Sequence, residues 1–200
     1  MQQGRTHRGL GAGRSAVPAA IAVAFLSVGV TLAPVAAPAA PDAMHRTLVD
    51  QFGTRFRIAD LAGRPVVVTF VASRCTDACP IANAEFAHLA DRLKHDRTRA
   101  TLLTITLDPA YDSPLIMAGE AHRYAADEGV WRLASGDPAD VRAVMRAFGV
   151  VAQPDAHGVP EDHSSFVYVL DAHGKLSRTL LLSTNLPDEA AAALKGHAPR

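Results

Sequence analysis

An excess of charge of either sign is absent from this 200-residue sequence, in which 20 Lys and Arg side chains balance 20 Asp and Glu side chains. The chain therefore has no basic field that would indicate a nucleic-acid partner. It also contains no internal repeat, no phosphate-binding loop motif and no Ser, His and Asp set that would argue for a kinase or a hydrolase. The apolar fraction of 48% is in contrast ample for a core, which argues against global disorder.

Cysteine is scarce as well, since the chain has only Cys75 and Cys79, in the stretch VTFVASRCTDACP. The choices are a structural disulfide, a redox pair or a metal clamp. Spacing of i, i+4 in a helical turn would place both sulfurs on one side, within reach of one metal ion, and would permit a disulfide if the turn adjusts. Redox pairs usually have two intervening residues, and so small a ring removes little unfolded-state entropy. Metal and redox roles therefore both stay open.

The N-terminus is a separate segment. Three arginines precede an apolar run over residues 16–33, and small residues follow it. This pattern is typical of a signal peptide, and the run is also about long enough to span a bilayer, so we expect a signal peptide or a membrane anchor with linker over residues 1–40. A disordered Ala/Pro tail is the alternative. Because a positive flank stays in the cytoplasm, residues 41–200 are expected to be exported, to the periplasm or the outer face of the cytoplasmic membrane.

The exported part is predicted to be one α/β domain. After a short hairpin in QFGTRFRIADLAGR, the patterns run strand, helix, strand, helix, strand, helix, hairpin, helix. The β-branched run PVVVTFVA is typical of a strand that is buried on both faces. Alternating strands and helices predict a central sheet with flanking helices. A cysteine pair between the first core strand and its helix favours the thioredoxin-like form, and ligands favour the carboxyl ends of such strands.

Several helix ends and one core residue can be predicted from local signals. Asp112 or Ser113 is expected to cap the second helix, which begins with a proline. Asp137 is expected to cap the third helix and Gly149 to end it. Trp131 is assigned to the core.

A metal needs more than two thiolates. A thiol at a helix N-terminus is expected to ionise readily, and the adjacent Arg74 would act in the same direction. With nine histidines in the chain, a third ligand is available. His163 differs from the others because EDHSSFVYVL places it at the mouth of a strand. Taken alone, such a histidine is more often a capping or hydrogen-bonding residue than a ligand.

Four motifs taken together resemble the Sco/SenC family: CTDACP, TLDPAYDSP, WRLASGDPADVRAVMRAFGV and DHSSFVYVLDAHGKL, in this order between about residues 48 and 195. The resemblance implies a thioredoxin-fold copper protein that assists assembly of the copper centre in cytochrome c oxidase. It further implies that Cys75, Cys79 and His163 are the copper ligands, and Asp77 matches the acidic residue usual between the family's cysteines. Two thiolates and an imidazole form a soft set suited to Cu(I), and the same set can take Cu(II).

A copper metallochaperone implies a copper-containing oxidase subunit and a copper donor protein as partners, and contact with the membrane if the N-terminal segment is uncleaved. The alternative is an exported thiol–disulfide reductase acting on the cysteines of an apo-metalloprotein. In that case Cys75 and Cys79 are the catalytic residues. The two roles can coexist because copper loading requires reduced thiols, so carrier and enzyme both stay open. A regulator is a third interpretation, for which the sequence offers no output module.

Two departures from the family pattern concern the surroundings of the predicted ligands. The lead-in to the first cysteine is ASR, so Arg74 is a candidate to alter partner choice, thiol pKa or copper affinity. The segment VVAQPDAHGVPED before His163 lacks the family's usual Tyr and Val approach. We expect an irregular loop there. Turn and helix-cap roles suffice to explain Asp108 and Asp112.

Overall fold

The computed structural model describes residues 42–163 and 165–195, and of residues 161–163 it describes the backbone alone. The predicted signal peptide or anchor over residues 1–40, with its boundary to the folded domain, lies outside these residues. Of the helices within the described ranges, none combines the length and the apolar character needed to cross a membrane.

Strands and helices follow one another in the predicted order, with one additional hairpin. The strands are β1 (Leu48–Asp50), β2 (Arg55–Phe56), β3 (Val66–Val71), β4 (Thr101–Thr106), β5 (Trp131–Gly136), β6 (Ala152–Pro154), β7 (Pro160–His163), β8 (Phe166–Leu170) and β9 (Leu176–Leu181). The α-helices are α1 (Ala78–His95), α2 (Pro114–Arg123), α3 (Pro138–Ala147) and α4 (Leu186–Lys195). Short 3₁₀ helices cover Ala43–His45 and Ile58–Leu61.

Seven strands form one sheet in the order β2-β1-β5-β4-β3-β8-β9. Strands β3, β4 and β5 are parallel, and their register pairs Val66 with Thr101 and Leu102 with Trp131. The remaining neighbours are antiparallel, including the predicted early hairpin of β1 and β2. Parallel neighbours require crossover connections, and α1 and α2 supply them. The predicted central sheet with flanking helices is confirmed.

Hydrophobic residues cover the sheet on both faces. All six residues of β3 are buried, and they alternate between the two sides. Val66, Val68 and Phe70 pack in the cluster that includes the buried face of α3. Val67 packs in the other cluster, to which α1, α2 and α4 contribute. Burial on both faces explains why the β3 sequence is continuously apolar instead of alternating.

Trp131 lies in the core, as predicted, and its side chain is fully buried at the start of β5. Its ring lies 5.8 Å from that of Phe86 on α1, measured between centroids. The indole Nε1 donates a hydrogen bond to Oγ1 of Thr104 at 3.0 Å, so the polar atom of this buried ring is satisfied.

The predicted helix ends are confirmed, and of the two residues predicted as possible caps of α2, Ser113 and not Asp112 is the cap. Ser113 caps α2 by accepting a hydrogen bond from the backbone N–H of Ile116 at 3.4 Å. Asp137 caps α3 in the same way, through the N–H of Ala139 at 2.8 Å. Gly149 follows α3 with φ of +70°, a conformation that favours glycine.

The prediction of an irregular loop before His163 was wrong, because β6 and β7 form an antiparallel hairpin there. Their register pairs Ala152 with His163 and Gln153 with Asp162, with an irregularity near Pro154. This pair forms a sheet of its own, separate from the seven-stranded sheet. A hairpin with three and four residues per strand leaves almost no alternation to read in the sequence.

Candidate metal centre

The candidate site lies where the parallel strands end. The carboxyl ends of β3 and β4 meet at one edge of the sheet, and residues 72–77 and 107–113 follow them there. Strand β8 is antiparallel to β3, so β8 begins at the edge where β3 ends. This edge therefore collects the cysteine loop (residues 72–77), the aspartate loop (residues 107–113) and the segment that leads into β8. Such edges are the common ligand-binding position of open α/β sheets.

The cysteine loop brings the two sulfurs into contact. The N–H of Cys75 donates to the carbonyl of Ala72 at 3.1 Å, which turns the chain before α1 begins. Cys79 lies in the first turn of α1, and its Sγ accepts the N–H of Ala72 at 3.3 Å. The two thiols also share a hydrogen bond. The predicted contact between the sulfurs is thus present, but its expected cause was wrong, because α1 begins at Ala78 and Cys75 precedes the helix.

Burial controls the chemistry of the second thiol. Cys75 is 5% exposed and Cys79 is 3% exposed. Desolvation, followed by the hydrogen bond with Cys75, raises the pKa of Cys79 far above its ordinary value of 9.0, and the opposing effect of the Ala72 N–H is weaker. The expectation of a readily ionised thiol was therefore wrong for Cys79. The helix N-terminus cannot offset the removal of this thiol from water.

Asp112 supports the cysteine loop from inside the domain. Its carboxylate is fully buried and accepts hydrogen bonds from the N–H of Ser73 at 3.2 Å, from the Ser73 hydroxyl, and from Oγ1 of Thr106 at 2.6 Å. The turn or helix-cap role expected for Asp112 was incomplete, because Ser113 is the cap and Asp112 joins the aspartate loop to the cysteine loop. Local signals could not reveal a partner that lies 39 positions earlier in the chain.

The charges beside the cysteines are paired or solvated. The guanidinium of Arg74 forms an ion pair with the carboxylate of Asp108, with 2.5 Å between Nη2 and Oδ2. Asp108, for which a turn role was expected, thus anchors a neighbour of the first cysteine. Asp77 precedes α1, is exposed, and makes no side-chain cap hydrogen bond.

His163, the third predicted ligand, ends β7, and Phe166 begins β8 three positions later. Its backbone therefore approaches the edge at which Cys75 lies. Its side chain lies outside the described residues, and within them no group of three His, Cys, Asp or Glu side chains is placed to hold a metal ion. The cysteine pair is brought together, and the ligand role of His163 stays a prediction.

The donor set nevertheless fits a soft ion. Two sulfurs that already share a hydrogen bond lie within reach of one metal ion. Thiolates select Cu(I) and other soft ions over the hard ions that prefer oxygen. A bound cation also removes the obstacle that burial creates, because it stabilises the thiolate form directly.

Comparison with known proteins gives consistent matches. The family model described as SCO1/SenC matches residues 37–198. A SCO2-like protein from Rickettsia felis is 27% identical over 156 residues, which cover 75% of this chain and 74% of the relative. The structure of Bradyrhizobium japonicum ScoI with copper bound is similar with a TM-score of 0.66 and 28% identity, covering 76% of this chain and 96% of that one. A SCO1/SenC family lipoprotein from Bacillus anthracis has a TM-score of 0.70 at 22% identity, covering 76% and 92%.

The structural matches confirm the thioredoxin-like fold that was predicted from the order of strands and helices. The Sco family comprises cytochrome c oxidase assembly proteins, and a disulfide switch has been identified in one of them, BsSco. Copper is bound in the solved structures of several Sco proteins. Because the family model spans the whole described domain, this chain belongs to the SCO1/SenC family.

Proposed function

We propose that this protein carries copper on Cys75, Cys79 and His163 and transfers it to a copper-containing subunit of a cytochrome c oxidase. The observation that carries the proposal is the contact between the two buried thiols at the carboxyl edge of the parallel strands. The imidazole of His163 would complete a three-ligand set that leaves one side open. An open set can pass its ion to a partner by ligand exchange, whereas a closed four-ligand site holds it. A copper donor protein would load the site.

The N-terminal pattern supports the place of this activity. We propose that the chain is exported and acts in the periplasm or at the outer face of the cytoplasmic membrane. Residues 1–40 would be either a signal peptide that is removed on export or an anchor that stays in the membrane. Reduced thiols can be oxidised in that compartment, so copper loading would compete with disulfide formation.

Anaerobic titration of the reduced full-length protein with Cu(I) tests the carrier. We expect one tightly bound ion per chain, and we expect Cys75→Ser and His163→Ala each to lose this high-affinity binding. His173→Ala is the matched control, because His173 lies in the exposed turn between β8 and β9 and should leave binding unchanged. Retained high-affinity binding in His163→Ala would refute the ligand assignment.

A thiol–disulfide reductase is the second candidate, favoured by the contact between the thiols and by the disulfide switch of BsSco. The Cys75 thiolate would attack a disulfide of the partner, form a mixed disulfide and release one partner thiolate. Cys79, after losing its proton to solvent, would attack Sγ of Cys75 and release the second partner thiolate. The partner would leave reduced, with Cys75 and Cys79 joined as a disulfide.

The raised pKa of Cys79 favours the carrier over the reductase. The resolving step requires a Cys79 thiolate, and burial disfavours that charged form. We expect the mixed disulfide of Cys75 with glutathione to resolve slowly at neutral pH, and tenfold faster for each added pH unit, because the thiolate fraction rises about tenfold per unit below the pKa. Mass spectrometry of acid-quenched samples follows this reaction, with Cys79→Ser as the control that cannot resolve. Rapid, pH-independent resolution would favour the reductase.

A further inference from the structure

Arg74, the residue before the first cysteine, contacts three residues in two separate segments, the aspartate loop and the turn between β6 and β7. Its guanidinium pairs with the Asp108 carboxylate in the aspartate loop at 2.5 Å. The same Nη2 donates a hydrogen bond to the carbonyl oxygen of Gly158, in the turn between β6 and β7, at 3.2 Å. The guanidinium carbon lies 4.3 Å from the centroid of the Tyr111 ring, a cation–π contact. We name Arg74, Asp108, Tyr111 and Gly158 the Arg74 bridge.

The turn that receives this hydrogen bond is closed by its own contacts. Oδ1 of Asp155 accepts the N–H groups of His157 and Val159, each at 2.8 Å. The N–H of Asp155 donates to the carbonyl of Val159 at 2.8 Å, and Gly158 has φ of +74°. The turn therefore moves as a unit, and a contact at the Gly158 carbonyl restrains the hairpin and not one peptide group alone.

The hairpin depends on such contacts for its position. Strands β6 and β7 pair only with each other, so no ladder of backbone hydrogen bonds joins them to the seven-stranded sheet. An isolated two-stranded hairpin is marginally stable in water. Side-chain contacts therefore decide where the hairpin lies: Ala152 packs against the core, and the contact from Arg74 comes from the residue adjacent to Cys75.

We propose that Arg74 is a positioning residue, which holds the β6–β7 hairpin, and with it His163, against the cysteine loop through the Arg74 bridge. The inference rests on the proposed function for the role of His163, but the bridge itself consists of described contacts. Its physical effect is preorganisation: the apparent dissociation constant rises in inverse proportion to the fraction of molecules in which the hairpin is in place. Asp108 compensates the charge of Arg74, so a direct electrostatic effect on the thiols is secondary.

Amide hydrogen exchange in the reduced, copper-free full chain tests the bridge without copper. We expect Arg74→Ala to speed exchange in residues 155–159 by about tenfold, the order of one lost charge-assisted hydrogen bond, while β3 amides stay unchanged. Arg74→Lys should be intermediate, because one ammonium keeps the charge but loses the forked geometry. Arg142→Ala removes an exposed arginine on α3 and is the matched control. Unchanged exchange in Arg74→Ala would overturn the inference.

Asp108→Asn provides a second variant if Arg74→Ala unfolds, which faster exchange throughout β3 would reveal. It leaves Arg74 in place and weakens its anchor, so exchange in residues 155–159 should again rise. Unchanged exchange in this variant would likewise overturn the inference.

Cu(I) affinity in a double-mutant cycle tests the coupling to His163. We expect Arg74→Ala to weaken binding about tenfold in the wild-type background and less than about twofold in the His163→Ala background. Equal weakening in both backgrounds would show that Arg74 acts on the cysteines directly, and would overturn the positioning role. Failure of the wild-type protein to bind Cu(I) would overturn the proposed function and this role of Arg74 together. Tight wild-type binding with no effect of Arg74→Ala on affinity or exchange would overturn this inference alone.

Discussion

Asp112→Ala is expected to lower the free energy of unfolding of the reduced, metal-free protein by about 3 kcal/mol. The carboxylate is fully buried and accepts three hydrogen bonds, two from Ser73 and one from Thr106. Without it the buried Thr106 hydroxyl and the partly buried Ser73 groups lose their acceptor, and a buried group left unpaired costs about 1–3 kcal/mol. A typical domain is stable by only about 5–15 kcal/mol, so the loss is a large share. Urea unfolding followed by the fluorescence of Trp131, the single tryptophan, measures it.

Two variants serve as controls for this result. Asp137→Ala removes an exposed cap that accepts one hydrogen bond, and it should cost about 1 kcal/mol. Asp112→Asn keeps the size and one acceptor oxygen, so it should fall between the two alanine variants. A loss in Asp112→Ala no greater than that in Asp137→Ala would mean that the buried network contributes little to stability.

Alkaline pH is expected to destabilise the reduced, metal-free protein through Cys79. Its pKa is higher in the folded state than the ordinary value of 9.0, so the folded state keeps a proton that the unfolded chain loses. The contribution of this retained proton to the free energy of unfolding is fully present below about pH 9. Above that pH it falls by about 1.4 kcal/mol per pH unit. Between pH 9 and 11 this amounts to about 2 kcal/mol. Unfolding free energies measured across this range should show the decline, and Cys79→Ala should lack this part of it.

Cys75→Ala is the matched control for the pH experiment, because it also deletes one buried sulfur at this edge. It should keep the decline, since burial and not the hydrogen bond with Cys75 is the main cause of the raised pKa. Lysines and tyrosines titrate in all three proteins and cancel when the curves are subtracted. Parallel curves for the wild type and both variants would contradict the assignment to Cys79.

The sequence was sufficient for features whose signals are local. The continuous β-branched run of β3 predicted a strand buried on both faces, and all six of its residues are buried. Asp137 and Gly149 marked the ends of α3, because a cap acts on backbone groups within one turn of itself. The position of Cys75 at the carboxyl end of β3 followed from the alternation of strands and helices.

Other features depend on contacts that local patterns do not contain. The sequence DSP fits a helix start equally well with Asp112 or Ser113 as cap, and only folding reveals that Asp112 reaches Ser73 instead. No side-chain cap hydrogen bond marks the start of α1 at Ala78. Cys75 was therefore expected to lie in the first helical turn, whereas it precedes the helix. The β6–β7 hairpin escaped prediction because Pro154 and Pro160 lie in strands too short to alternate.

The separate sheet of β6 and β7 has a consequence for how proteins of this architecture diversify. Because the hairpin shares no backbone ladder with the seven strands, its length and sequence can change without shifting the register of the main sheet. Insertions in the turn between β6 and β7 are therefore compatible with the main sheet, and they act on the hairpin that ends at His163. A hairpin grafted from a relative would replace the segment that leads to residue 163 while the cysteine pair and the seven strands stay as they are.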